Sequence, residues 1–286
     1  MIRPFLLSTV LALFAALSPL RGQEELPLSI MEATSIGVGG YNLMDTYLTP
    51  GATVNYSGAG LSVLNERMKM TGIADGNISR QQLLRAEFSS TSNGAGTKSN
   101  LELLGQYALN YHYHFTPLPN LKLLAGGGAR GLLGMIYNMQ NGNNPVSVKA
   151  DLDLNLSGMA IYQLAIKDYP ITLRYQVDLP FSGICFAPKY GQSYYEMFGL
   201  SNSGGLVRYN SFHNKFAIQN YLTADFPIGN FTIRAAFHHQ AYHTDMNGIK
   251  SHIISRSFMI GFVREFISWG GKKSKRMRES YRSAFY

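Results

Sequence analysis

Residues 146–181 read VSVKADLDLNLSGMAIYQLAIKDYPITLRYQVDLPF, two runs of strict two-residue alternation joined at Lys167-Asp168. In the first run Val146, Val148, Ala150, Leu152, Leu154, Leu156, Ala160, Tyr162, Leu164 and Ile166 share one face. Ser147, Lys149, Asp151, Asp153, Asn155 and Ser157 take the other. The second run sets Tyr169, Ile171, Leu173, Tyr175, Val177, Leu179 and Phe181 against Thr172, Arg174, Gln176, Asp178 and Ser182. Side chains alternate across a strand with period two, so each run predicts a strand with one apolar and one hydrophilic face. A two-residue turn at Lys167-Asp168 places Ile166 opposite Tyr169, apolar beside apolar, and the register is self-consistent. A soluble sheet could bury such a face against a second sheet, but strands this long and this charged on one side suit a barrel in lipid better. The expected fold is therefore all-β, a transmembrane antiparallel up-and-down β-barrel. Arginine at Leu154 or Leu173 should then cost about 2–4 kcal/mol near the bilayer midplane, and much less at Asn155 or Thr172.

The N-terminal stretch fits that location. Arg3 precedes an apolar run from Phe5 to Leu17, followed by Ser18, Pro19 and small or polar residues through Gly22. This is the pattern of a secretory signal peptide over residues 1–22, and the run is too short to span a bilayer. No other stretch approaches a transmembrane helix. The single cysteine, Cys185, excludes an intrachain disulfide and fits a small apolar packing role. Of the net charge of +8, most lies outside the body of the chain. Residues 270–286 carry Lys272, Lys273, Lys275, Arg276, Arg278 and Arg282 against Glu279, and the leader carries Arg3 and Arg21. A body so nearly neutral argues against nucleic-acid binding. The expected organisation is a leader at 1–22, a barrel at 23–269 and a basic periplasmic tail at 270–286.

Further alternating runs lie on both sides of the organising hairpin. Ile36 and Val38 mark a first strand, and Leu61 and Val63 open a second whose parity is blurred by Gly58 and Gly60. Leu84, Ala86 and Phe88 oppose Arg85, Glu87 and Ser89; Leu101 to Phe115 and Leu121 to Tyr137 follow. Phe216, Ile218, Leu222, Ala224 and Phe226 precede a hairpin turn at Gly229-Asn230. Thr244 to Ser251 reads as a loop before a last strand at Ile254 to Phe266. The count is ten strands, or twelve if the long irregular segment Ala187 to Asn210 hides a hairpin. Tight connections at Asp75, Pro117, Lys167 and Gly229 alternate with mostly longer ones, as short periplasmic turns and long outer loops do in outer-membrane barrels, which puts both termini in the periplasm. Tyr111, Tyr113, Phe115, Tyr162, Tyr169, Phe226, Phe231, Phe266 and Trp269 flank the periplasmic ends, where interfacial girdles are expected.

The block Asp45-Thr46-Tyr47-Leu48-Thr49-Pro50, with Tyr56-Ser57-Gly58 and Leu64-Asn65-Glu66-Arg67-Met68, resembles the opening motif of Bacteroidetes outer-membrane proteins grouped as domain of unknown function 3316. The resemblance implies location and fold only, since the family brings no activity to transfer.

Three constellations could carry chemistry. Ser211, His213 and Asn214 are similar to the serine, histidine and asparagine set of outer-membrane phospholipases, whose catalytic groups face lipid. Here the outward parity of Phe216, Ile218 and Leu222 turns Ser211 and His213 inward, against that role. His239, His243, Asp245 and His252 gather around the last outer loop as weak metal-ligand candidates, with exposed loop residues the blander account. Glu66, Arg67, Arg85, Glu87, Lys149, Asp151, Asp153, Arg174 and Asp178 form the stronger set, a polar network able to pair across and fill a narrow lumen. Gly126-Gly127-Gly128 lacks the lysine and helix of a phosphate cradle and fits barrel curvature instead. No cofactor pattern is present. The leading expectation is an outer-membrane barrel of structural or interaction role with a largely filled lumen; a narrow diffusion channel and a membrane-embedded lipid hydrolase stay open. Expected partners are outer-membrane lipid and, at the basic tail, a periplasmic protein, peptidoglycan or anionic head groups.

Overall fold

The computed structural model describes residues 29–50, 52–142, 144–229, 231–267 and 283–286. The expected leader, Trp269 and the six basic tail residues lie outside them. Eleven strands form: β1 Ser29–Asp45, β2 Tyr56–Met70, β3 Ile78–Asn93, β4 Ser99–Leu118, β5 Leu121–Asn138, β6 Val146–Ile166, β7 Tyr169–Phe186, β8 Val207–Ser211, β9 Lys215–Ile228, β10 Phe231–Met246 and β11 Ile249–Ile267. Sequential neighbours other than β8 and β9 pair antiparallel, β1 pairs with β11, and β9 returns to β7, which closes a ring.

The ring has ten positions, because β8 and β9 share one. Both run antiparallel to β7: β8 pairs Ser211 with Ser182, and β9 pairs Gln219 with Asp178. They lie end to end, separated by an irregular step at Phe212, His213 and Asn214. The segment after Ala187 thus adds no hairpin. It holds a π-helical turn, Tyr195–Gly199, and folds over one end of the barrel.

At the Lys167-Asp168 turn both residues have positive φ, 48° and 66°, the conformation that lets two residues join twisted strands. A second such turn occurs at Asn247-Gly248, with φ of 54° and 78°. The expected loop from Thr244 to Ser251 is instead strand on both sides of that turn, with Met246 paired to Ile249. The Asn-Gly dipeptide dictates this, overriding the polar flanks. Between β4 and β5 the backbones approach so closely that a Cβ at Gly126 or Gly128 would run into the Tyr111 or Leu109 carbonyl. Glycine there permits strand contact that any side chain would wedge apart.

Alternation sorts the side chains into two environments. Outward rows include Leu152, Leu154 and Leu156 on β6 and Phe258, Ile260 and Phe262 on β11, with Phe258 72% exposed. Lys149, Asp151, Asp153 and Asn155 between them are buried. The usual soluble arrangement is inverted: charge inside, large apolar side chains outside. A continuous apolar belt of this kind far exceeds the patches that water tolerates on a monomer.

Candidate functional site

The interior is the one place where polar chemistry concentrates, and it is built by the inward positions of all ten ring strands. Here we call the end where β1 starts and β11 stops the termini end, and the opposite one the loop end.

Near the termini end Glu66 of β2 is 0% exposed and holds two guanidinium groups. Arg174 Nη1 of β7, directly opposite in the ring, donates to Glu66 Oε1, and Arg234 Nη1 of β10 donates to Oε2 at 2.7 Å. Arg234 also binds Asp225 bidentately, Nε to Oδ1 and Nη2 to Oδ2, both at 2.7 Å, the planar fork geometry that suits arginine to carboxylate. Gln81 Nε2 donates to Glu66 Oε1 at 2.6 Å and to Gln176 Oε1 at 2.9 Å, tying β3 to β7 across the lumen.

The middle of the barrel is amide-rich. Gln106 Nε2 donates to Gln219 Oε1 at 3.0 Å, and Asn155 Nδ2 donates to Asp178 Oδ1 at 3.3 Å. Arg85 pairs with Glu87 at 3.1 Å, bonds Gln240 Oε1 and donates to His238 Nδ1 at 2.8 Å. Toward the loop end Arg130 pairs with Asp153 at 2.9 Å, while Lys215 bridges Asp151 at 2.8 Å and Asp153 at 2.9 Å. Lys149 reaches Asp45 Oδ2 at 2.7 Å, and β6 and β1 are again diametrically opposed. Buried charges must be paired or neutral, and the interior nearly meets that condition. Among the described residues six buried cations all have carboxylate partners, and of eight buried carboxylates only Glu102 and Asp178 lack a cation and are held by Ser89 and by Asn155 and Gln176.

Both ends are stoppered by apolar residues. At the loop end Tyr47 and Leu48 pack among Leu43, Leu104, Leu132, Ile136, Tyr242 and Ile253. Tyr47 OH donates to Gln192 O at 2.8 Å, and Tyr194 OH accepts from Val148 N at 3.0 Å, so the 187–206 segment is fastened to this stopper. Burial raises the Tyr47 phenol above its ordinary value, which keeps it protonated and donating. The gap left beside Lys149, Cys185 and Tyr242 is about 30 Å³, room for one or two waters. At the termini end Ala284 and Phe285 sit among inward methionines, so these residues of the expected periplasmic tail lie inside the barrel instead.

Of the residues singled out from sequence, the structure brings Glu66, Arg85, Glu87, Lys149, Asp151, Asp153, Arg174 and Asp178 into this interior. Arg67 is corrected. It follows Glu66 directly and therefore takes the opposite face, exposed, with its guanidinium 5.9 Å from the Phe266 ring centre. Parity alone would also have found Glu102, Asp225 and Arg234, each flanked by apolar residues of the opposite face, whereas Arg130 beside Gly131 and Lys215 beside Asn214 are marked on one side only.

The Ser211 and His213 orientation is likewise corrected. The step between β8 and β9 breaks the parity set by Phe216, and His213 is exposed, with Ser211 Oγ 2.6 Å from its Nδ1. Asn214 does not orient the imidazole: its Oδ1 accepts from Ser211 N at 3.0 Å and its Nδ2 donates to Tyr209 O at 3.0 Å. The three side chains therefore form a local turn rather than a nucleophile, base and orienting group in series. His239 and His252 each contact an asparagine, Asn220 at 3.1 Å and Asn42 at 2.7 Å, and His243 lies across from His252 at 5.6 Å between ring centres. Asp245 makes only a loose 3.8 Å pair with Lys250, and among the described residues no three such groups converge on a metal position.

The family model described as Protein of unknown function (DUF3316) matches residues 5–273. The chain belongs to that family. No curated protein sequence matches it. Among solved structures, DUF3316 in this chain is similar to the outer membrane protease OmpT from Escherichia coli at 10% identity, covering 85% of this chain and 99% of that one with a TM-score of 0.45. The transport unit of the autotransporter AIDA-I from Escherichia coli matches at 9% identity over 94% and 100% of the two chains, TM-score 0.45. An outer membrane channel from Pseudomonas putida F1 matches at 8% identity over 87% and 100%, TM-score 0.39.

Proposed function

We propose that this DUF3316 protein is an outer-membrane barrel with a closed interior, acting as a structural or interaction protein rather than as a conduit or an enzyme. The observation that carries this reading is the set of hydrogen-bonded contacts spanning the lumen: Glu66 to Arg174 and Asp45 to Lys149 join opposite strands, and Gln81 to Gln176 and Gln106 to Gln219 fill the space between. A solute entering from either end would have to break buried ion pairs, each costing several kcal/mol to separate. Lipid along the apolar belt is the first partner. We assign the termini end to the periplasm on its tight connections, the Lys167-Asp168 turn and the link that pairs Ile228 with Phe231. The six basic residues between 272 and 282 lie outside the described residues; their charge suits anionic head groups, peptidoglycan or an acidic periplasmic partner, at up to about 1 kcal/mol per charge near an anionic surface.

Purified protein reconstituted into planar bilayers is expected to give no reproducible open-channel steps. Discrete, repeatable conductance steps would overturn the closed reading in favour of a narrow diffusion channel.

A further inference from the structure

At the termini end the inward residues include a methionine-rich apolar cluster below the Glu66, Arg174 and Arg234 network. Met31 and Ala33 of β1, Met68 and Met70 of β2, Leu124 of β5, Met159 and Ile161 of β6 and Val263 of β11 form an apolar lining on five of the ten ring strands. In an open barrel this lining would face water. Methionine is unbranched and adaptable, the side chain that lines surfaces built to receive an apolar group.

The group received is on the same chain. Phe285 is 0% exposed and packs in this cluster, with Ala284 beside it. Above it lie two guanidinium groups, Arg174 Cζ at 5.0 Å and Arg234 Cζ at 5.1 Å from the ring centre, within range of a cation–π contact. Arg174 Nε and Nη2 make no hydrogen bond among the described residues, so its face is directed at aromatic rings, Phe285 on one side and Tyr221 at 4.6 Å. Tyr286 OH donates to Asp225 Oδ2 at 2.9 Å, and Lys122 Nζ donates to Tyr286 O at 2.6 Å. Burial, then the Asp225 charge, raises the Tyr286 phenol and keeps it a donor. The apolar lining, the paired arginines, the carboxylate and the lysine therefore each have a counterpart in Ala284-Phe285-Tyr286.

We infer that the termini end of the barrel is a peptide-binding pocket specific for an adjacent Phe-Tyr pair, and that Ser283–Tyr286 is its tethered, exchangeable ligand. The connecting residues 268–282 are long enough to let the segment leave and return: fifteen residues reach roughly 50 Å when extended. A ligand tethered in this way competes at an effective concentration in the millimolar range, so it masks the pocket from free peptide. The inference stands whether or not the interior conducts ions, and its test does not involve conductance.

The test uses a chain ending at Arg282 and, separately, the full chain carrying Phe285→Ala. Binding of a fluorescein-labelled Ser-Ala-Phe-Tyr peptide is read by anisotropy in detergent, and a heat-dependent shift in gel mobility reports that each protein is folded. Both variants are expected to bind the peptide, the unaltered chain about a hundredfold more weakly because its own segment competes, and a Ser-Ala-Ala-Tyr peptide not at all. If the shortened chain fails to fold, Phe285→Ala carries the test alone. Folded variants that ignore the peptide, equal binding by the unaltered chain, or equal binding of the alanine peptide would each overturn the pocket.

Discussion

Glu66→Ala is expected to lower the unfolding free energy of the barrel by about 3–5 kcal/mol, the range for breaking a buried ion pair by removing one partner. Glu66 is the only carboxylate bonded to Arg174 among the described residues, while Arg234 retains Asp225. The change therefore strands one guanidinium inside the wall and takes from Gln81 one of its two acceptors. Arg67→Ala, one position along but on the outer surface, should change stability by less than about 1 kcal/mol. Replacing both members of the pair by apolar residues, Glu66→Leu with Arg174→Met, should recover part of the loss, since no buried charge then lacks a partner. Denaturant unfolding in lipid vesicles followed by circular dichroism measures all three. A cost at Glu66 no larger than at Arg67 would mean that the crossing pair does not hold the interior together.

The contrast between those two neighbours shows what the sequence could and could not convey. Period two is written plainly into β6 and β7, and it sorted most of the interior charges because a strand has only two faces. It failed where local chemistry shifts the phase. Gly58 and Gly60 carry no side chain to mark a face, so the sign of Glu66 against Arg67 was lost. The step at Phe212–Asn214 reversed the orientation expected for Ser211 and His213. Asn247-Gly248 is a hairpin dipeptide, but the histidines and polar residues around it give the stretch the look of a loop. The two stoppers were not legible, because alternation says which residues face inward and nothing about what else occupies the lumen. Inward Met31, Met68, Met70 and Met159 depart from a polar lumen, and in the structure they pack with Phe285.

Filling the lumen also changes what arginine substitutions should do. Asn155 is 2% exposed and bonded to both Asn110 and Asp178, so arginine there overpacks a closed interior and should be costly, contrary to the milder effect expected from a roomy polar lumen. Comparing Leu154 with Asn155 therefore no longer distinguishes lipid from lumen. Depth along the outer face does. Arginine placed singly at Leu152, Leu154, Leu156, Tyr162 and Ile166, all outward on β6, moves one charge from mid-strand to the termini end without touching the interior. In a bilayer the cost should be about 2–4 kcal/mol at Leu154 and Leu156 and fall to about 0–1 kcal/mol at Ile166, because the penalty follows distance from the hydrocarbon centre. In a soluble protein those exposed sites would accept arginine almost equally. The loss of unfolding free energy measured in vesicles across the five variants should thus peak at mid-strand, and a flat profile would remove the membrane from this reading while leaving the barrel intact.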